Sequence, residues 1–168
     1  MIKKFLNLGY QPLANSYLRK NQINKKEKKF KLEIVFNDKN FLVSINKKIP
    51  TKEMFNSDYP YRSSLSKTMM KSFKNISSTI KKKFNPKFII EIGSNDGAFL
   101  FNFNKKNIIG IEPCKNVATI TKQKSYKTID KYWTKNLARS LTKNNNCDLI
   151  YSANTLSHIE NYDELFKA

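Results

Sequence analysis

The sequence predicts an α/β protein: a doubly wound parallel sheet preceded by a small hairpin-containing module and a linking helix. Three observations carry this. From residue 88 onward, short apolar runs alternate with helical stretches in the order β-α-β-α-β-α-β-α, as in parallel sheets whose crossovers are helices. The first run, Phe88-Ile89-Ile90-Glu91-Ile92, ends in the small polar turn Gly93-Ser94-Asn95-Asp96-Gly97. Such a turn opens a ligand crevice at the carboxyl end of a first strand. Upstream, Phe30, Leu32, Ile34 and Phe36 alternate with polar residues, and residues 41–45 return after Asn37-Asp38-Lys39-Asn40, which reads as a hairpin.

Taken in order, residues 6–18 read as a turn at Gly9 to Pro12 followed by a short apolar segment. Residues 19–29 are a charged loop, the hairpin follows, and residues 46–58 are a connector containing Pro50. A helix is expected from about residue 66 to residue 84, broken by Phe84-Asn85-Pro86 because the residue before a proline disfavours helical angles. These boundaries define three segments: 1–50, 51–86 and 87–168. Within the last, Gly93 and Gly97 allow backbone angles or close approaches that a Cβ would block. Asn95 or Asp96 is placed to cap a helix beginning near Ala98. A second strand at 108–111 ends in Glu112 and Pro113. Helices are expected at 115–124, with Val117, Ile120 and Thr121 on one face, and at 134–143 with Thr134 as cap. Strands are expected at 126–129 and 147–152, a polar loop at Asn144 to Asn146, and a last helix from Tyr162.

Composition bounds the function. The chain has 168 residues and 39% hydrophobic content, enough for one ordinary domain or a piece of a larger protein. No apolar run approaches the roughly 20 residues of a membrane span, and the basic N-terminus lacks the apolar stretch of a signal peptide. Cys114 and Cys147 are far apart in sequence and too few for a disulfide framework or a four-cysteine zinc site. A cytoplasmic location is expected. The net charge of +19 raises a nucleic-acid or anionic-membrane reading. The excess is nearly all Lys, spread along the chain and accompanied by abundant Asn and Ile, as AT-rich codon usage produces. The clusters at Lys25 to Lys31 and Lys81 to Lys83 also read as solvated loop or helix ends, and no aromatic-interleaved RNA-binding strand accompanies them, so no specific nucleic-acid partner is expected.

The turn has the spacing E-x-G-x-x-x-G, not the G-x-G-x-x-G of dinucleotide enzymes. Glu112, at the end of the next strand, is placed to accept hydrogen bonds from the two ribose hydroxyls of an adenosine ligand. The alternative is a plain strand–turn–helix without a ligand. The spacing resembles motif I of the S-adenosylmethionine (SAM)-dependent methyltransferases.

Five strings extend the likeness: Leu8-Gly9-Tyr10-Gln11-Pro12-Leu13-Ala14-Asn15, Tyr59-Pro60-Tyr61-Arg62-Ser63-Ser64-Leu65-Ser66, Glu91-Ile92-Gly93-Ser94-Asn95-Asp96-Gly97, Gly110-Ile111-Glu112-Pro113-Cys114-Lys115-Asn116-Val117-Ala118 and Ala153-Asn154-Thr155-Leu156-Ser157-His158-Ile159. In this order they resemble the SAM-dependent sugar C-methyltransferases of deoxysugar biosynthesis, which act on nucleotide-linked 4-keto sugars. The resemblance implies a Rossmann-like SAM-binding sheet. It implies that Glu91, Gly93, Ser94, Asn95, Asp96, Gly97, Glu112, Pro113 and Asn154 face the cofactor. It also implies that His158 is a candidate acid/base and that Tyr59 and Tyr61 close over the sugar. The residues by themselves also allow a surface histidine at a helix start, tyrosines packed in a linker, and Asn116 as a cap or a border of the site.

Two departures from the family shape further expectations. Its N-terminal zinc module uses two C-x-x-C pairs. Here the chain starts past the first, and Asn37-Asp38-Lys39-Asn40 stands where the second would be. Asn is a poor zinc ligand beside thiolate, so no structural zinc is expected. Family chains also continue well beyond position 168 into a region that grips the sugar. The sheet is therefore expected to be truncated at four strands, with Leu149 and Tyr151 losing neighbours. The chain by itself is expected to be marginally stable with little or no turnover, and a second polypeptide is a possible source of the missing part.

Overall fold

Residues 2–12 form a strand that the sequence hides. The computed structural model describes residues 1–143, 146–159 and 161–168, which divide into two units, Met1–Met54 and Phe55–Ala168. In the first unit, strand β1 (Ile2–Pro12) pairs antiparallel with β2 (Lys29–Asn37), which pairs antiparallel with β3 (Leu42–Ile45). The β2–β3 hairpin is the one expected. The turn expected at Gly9 to Pro12 is instead part of β1. Its register slips between Lys4 and Leu6 and again between Asn7 and Tyr10. Gly9 sits in the second slip at φ +70°, an angle that costs glycine little. These bulges break the two-residue period that betrays a strand. Glu33 and Val35, on one face of β2, are the buried residues of this sheet. A 3-10 turn (Lys20–Gln22) and a short helix α1 (Thr51–Met54) complete the unit.

The second unit carries the parallel sheet. Helix α2 (Lys67–Phe84) starts at Ser66, whose Oγ accepts from the Met69 N–H at 3.2 Å, and ends at Asn85 in the left-handed region. Strands β4 (Ile89–Ile92), β5 (Ile108–Ile111), β6 (Thr128–Ile129) and β7 (Leu149–Ser152) are all parallel and lie in the order β6-β5-β4-β7. The chain runs outward from β4 to β6 and then returns to β7 on the other side. This is the Rossmann-like order, and it opens a crevice at the carboxyl ends of β4 and β7. Helices α3 (Lys115–Gln123), α4 (Lys135–Thr142) and α5 (Tyr162–Phe166) follow β5, β6 and β7. Thr134 caps α4 as expected, its Oγ1 accepting from the Leu137 N–H at 3.2 Å. Of the polar loop expected at 144–146, residues 144 and 145 lie outside the described residues.

Alternation along β4 and β5 sends Ile89 and Ile108 into a core with Phe73, Ile80, Phe99, Leu100 and Phe103. Ile90, Ile92, Ile109 and Ile111 face the opposite core, with Leu165, Leu137 and Trp133. Both faces of the sheet are thus covered, which is why its strands read as continuous apolar runs.

A further expectation is corrected. The α-helix predicted after the 93–97 turn is a single 3-10 turn, Leu100–Asn102. Phe99, Phe101 and Phe103 recur every two residues rather than on one helical face: Phe99 and Phe103 enter the core and Phe101 packs on Tyr126, 5.1 Å between centroids. The Asn102 side chain then takes the carbonyls of Ala98 and Phe99 at 3.0 and 2.9 Å, ending the turn. Leu149 and Tyr151, expected to lose neighbours, are half-buried. Leu149 packs on the first core, and Tyr151 stacks on Phe99 with centroids 3.8 Å apart. On edge strand β7, Ile150 is the exposed apolar residue, at 50%. No helix among the described residues is long and apolar enough to cross a membrane.

Candidate functional site

The turn after β4 leaves the sheet through two hydrogen bonds to one carbonyl: Gly93 N–H and Ser94 N–H donate to Ile111 O at 2.8 and 3.1 Å. Gly93 has φ +73° and Gly97 φ +90°, angles that only glycine adopts readily. Gly93 is also a close approach. A Cβ there would lie 2.2 Å from Thr155 Oγ1, so the loop after β7 rests directly on the turn. Asn95 reaches φ +48° and Asn154 φ +54°, a region that Asn tolerates better than most residues.

Glu112 lies buried just past the carboxyl end of β5. Its Oε2 accepts the Asn95 N–H at 2.8 Å and its Oε1 the Cys114 N–H at 2.9 Å. Burial raises its pKa above the ordinary value, and these two N–H donors oppose the rise. Glu91, inside β4, is more extreme. Burial pushes it well up, the Glu112 and Asp96 carboxylates push in the same direction, and the Leu100 N–H pulls back. Its Oε2 and the Ser94 Oγ are buried without a hydrogen-bond partner among the described residues, as is Asn116 Oδ1. Cys114 is fully buried, and burial followed by the adjacent Glu112 raises its thiol pKa, so it stays a neutral packing group. Pro113 is half-buried between Glu112 and Cys114.

Asn95 and Asp96 do not cap a helix. Their side chains bind residues 59–64. Asn95 Oδ1 accepts the Ser63 N–H at 2.8 Å and Asn95 Nδ2 donates to Tyr61 O at 3.2 Å. Asp96 Oδ1 accepts the Ser64 N–H at 3.1 Å, and Asp96 Oδ2 accepts the Ser64 hydroxyl. Asn116 Nδ2 donates to Tyr59 O at 2.8 Å. Asn116 thus holds Tyr59 rather than capping α3, whose N-cap is Cys114.

Tyr59, Tyr61 and His158 lie in one row of rings, joined by a residue that the sequence does not single out. Tyr61 is 6.5 Å from Tyr59, Tyr59 is 5.2 Å from Phe55, and Phe55 is 5.4 Å from His158, centroid to centroid. His158 is exposed in the 3-10 turn Leu156–His158 that follows β7. Phe55 belongs to no motif, and only its position in space reveals it. Thr155 lies within a string that resembles the family, yet nothing in the sequence shows that it rests on Gly93.

Residues 1–55 match the family model Methyltransf_13, whose description reads "Putative zinc binding domain". The match relates the N-terminal unit to methyltransferase-associated proteins. No curated protein matches the chain. The residues present do not fit the metal that the description names. Residues 1–55 contain neither Cys nor His, the ligands from which structural zinc sites are built. Three of their four carboxylates are engaged elsewhere: Glu33 with Lys4 and Lys31, Asp38 with the N-terminus and Lys3, and Glu53 with Lys28. Where the resemblance places cysteines, Asn37 Oδ1 accepts the Lys39 N–H at 3.0 Å and Asn40 Oδ1 the Leu42 N–H at 3.2 Å. The N-terminal unit thus pairs a methyltransferase-associated sequence with a hairpin tip held by its own side chains.

Proposed function

We propose that the chain is the SAM-binding portion of a C-methyltransferase acting on a nucleotide-linked 4-keto deoxysugar. The observation that carries the reading is Glu112 at the carboxyl end of β5, tied at 2.8 Å to the turn after β4 where the strand order reverses. The residues fit an adenosyl group on two counts. Each Glu112 oxygen holds one N–H donor and keeps further acceptor capacity for a ribose hydroxyl. Asn116 Oδ1 is a buried acceptor awaiting a donor, and leaving such an atom unpaired costs about 1–3 kcal/mol.

When bound, SAM supplies a methyl group on a sulfonium centre. Glu112 then fixes the ribose, while Gly93 and Gly97 shape the turn beside it. His158 takes the proton next to the sugar ketone, and the ring row through Phe55 sets its position. Tyr59 and Tyr61 wall the acceptor side and help exclude water. Alignment of this kind accounts for about 7–11 kcal/mol in well-oriented reactions. The positive field of a chain with net charge +19 also favours a pyrophosphate-bearing substrate.

The test uses radiolabelled SAM and a panel of nucleotide-linked 4-keto sugars, with the chain alone and with the product of the adjacent reading frame as the second polypeptide. Transfer is expected in the supplemented reaction and is expected to vanish in His158→Ala. Equal transfer by His158→Ala would remove His158 from the mechanism. Failure on every sugar in the supplemented reaction would overturn the substrate class.

A further inference from the structure

The 93–97 turn carries two polar side chains that would ordinarily be read as facing a ligand. Every polar atom of the two side chains is bonded elsewhere. The two amide atoms of Asn95 bond Ser63 N–H and Tyr61 O, and both Asp96 oxygens bond Ser64. Asp96 is 2% exposed. With Asn116 on Tyr59 O, three side chains, two from the turn after β4 and one from the first turn of α3, hold one strap, residues 59–64. Four of the five bonds go to strap backbone, at Tyr59, Tyr61, Ser63 and Ser64. They therefore fix the strap's register without depending on its side chains.

We propose that Asn95, Asp96 and Asn116 are positioning residues that clamp the 59–64 strap across the crevice and so set Tyr59 and Tyr61 against the acceptor. This rests on the reading of the crevice as a ligand site. The clamp also explains the residue types. Asn95 must sit at φ +48° while presenting both an acceptor and a donor, which Asn does and Asp does not. The Asn95 N–H donates to Glu112 Oε2, so one residue joins the acid at the end of β5 to the strap.

Arginine-specific proteolysis reads the clamp. The arginines are Arg19, Arg62 and Arg139, and the bond after Arg62 lies inside the strap, next to the clamped Ser63 N–H. Asp96→Ala is expected to raise cleavage after Arg62 by about tenfold relative to Arg139 in the same digest, the factor set by losing a charged hydrogen bond. Asp96→Asn keeps an acceptor for Ser64 N–H and is expected to restore most of the protection. Ser64→Ala, at an exposed position, is the fallback if Asp96→Ala does not fold; it removes only the hydroxyl bond and is expected to raise the ratio about threefold. An unchanged Arg62 to Arg139 ratio in the folded variants, or Asp96→Asn cleaving like Asp96→Ala, would overturn the clamp. The digest is run without SAM. Selective protection of Arg62 in a chain that fails to bind SAM would therefore sustain the clamp and overturn only the cofactor reading.

Discussion

Gly93 and Glu91 show how single positions in the crevice are constrained by space and charge rather than by local preference. Gly93→Ala meets two penalties. A left-handed angle costs a non-glycine residue about 1–2 kcal/mol, and overpacking adds about 1–3 kcal/mol where the new Cβ meets Thr155. Urea denaturation should show the full loss in Gly93→Ala and partial recovery in Gly93→Ala with Thr155→Gly, which removes the overpacking and leaves the strain. Glu91 gives a pH signature. Its folded pKa lies well above the ordinary 4.5, so folding favours the protonated carboxyl. That contribution is fully present below about pH 4.5 and is lost as pH rises through the folded value. Glu91→Gln is therefore expected to match the wild type in melting temperature at pH 4 and to exceed it at pH 8. A wild-type advantage at pH 8 would show that Glu91 is held ionised.

At the scale of elements, the N-terminal sheet is held by a carboxylate network where the matched family description names zinc. Glu33 on β2 bonds Lys4 of β1 at 2.9 Å, Lys31 at 3.1 Å, and Asn46 Nδ2 just past β3 at 3.0 Å. The Lys4, Asn46 and Lys31 bonds, in that order, pull its pKa down to about 2. A lowered acid pKa stabilises above the ordinary value, and the contribution fades as pH falls from about 4.5 toward 2. Protection factors of the β1–β2 amides, corrected for intrinsic exchange, should fall over that window in the wild type and stay flat in Glu33→Gln. Metal analysis is expected to find no stoichiometric zinc, and a chelator should leave the melt of this unit unchanged. One tightly held zinc per chain would contradict the donor inventory.

Elements also differ in how legible they were. The cores of β4 and β5 announce themselves because both faces are buried and every residue but Glu91 and Gly110 is isoleucine. α2 declares its cap at Ser66 and its stop at Asn85. β1 is hidden by its two register slips. The helix expected after the turn fails because Phe99, Phe101 and Phe103 carry a strand's period into a segment too short to be a strand.

At the scale of the whole molecule, the sequence discloses the strand alternation and hence the crevice, because order along the chain fixes parallel topology. It does not disclose what crosses the crevice. Asn95 and Asp96 reach partners 32 residues away, and Phe55 joins Tyr59 to His158 only in space. Local pattern carries no information about either. The position of Glu112 just past β5 was legible because a strand end is itself a local signal.

The central claim, that this crevice binds SAM through Glu112, is tested most directly by isothermal calorimetry of SAM with the wild type and Glu112→Ala, each shown folded by circular dichroism. Hydrogen bonds to a charged acceptor contribute about 1.5–3 kcal/mol, so the variant is expected to bind about ten- to a hundredfold more weakly. Equal affinity in the two proteins, or no binding by the wild type, would contradict the account.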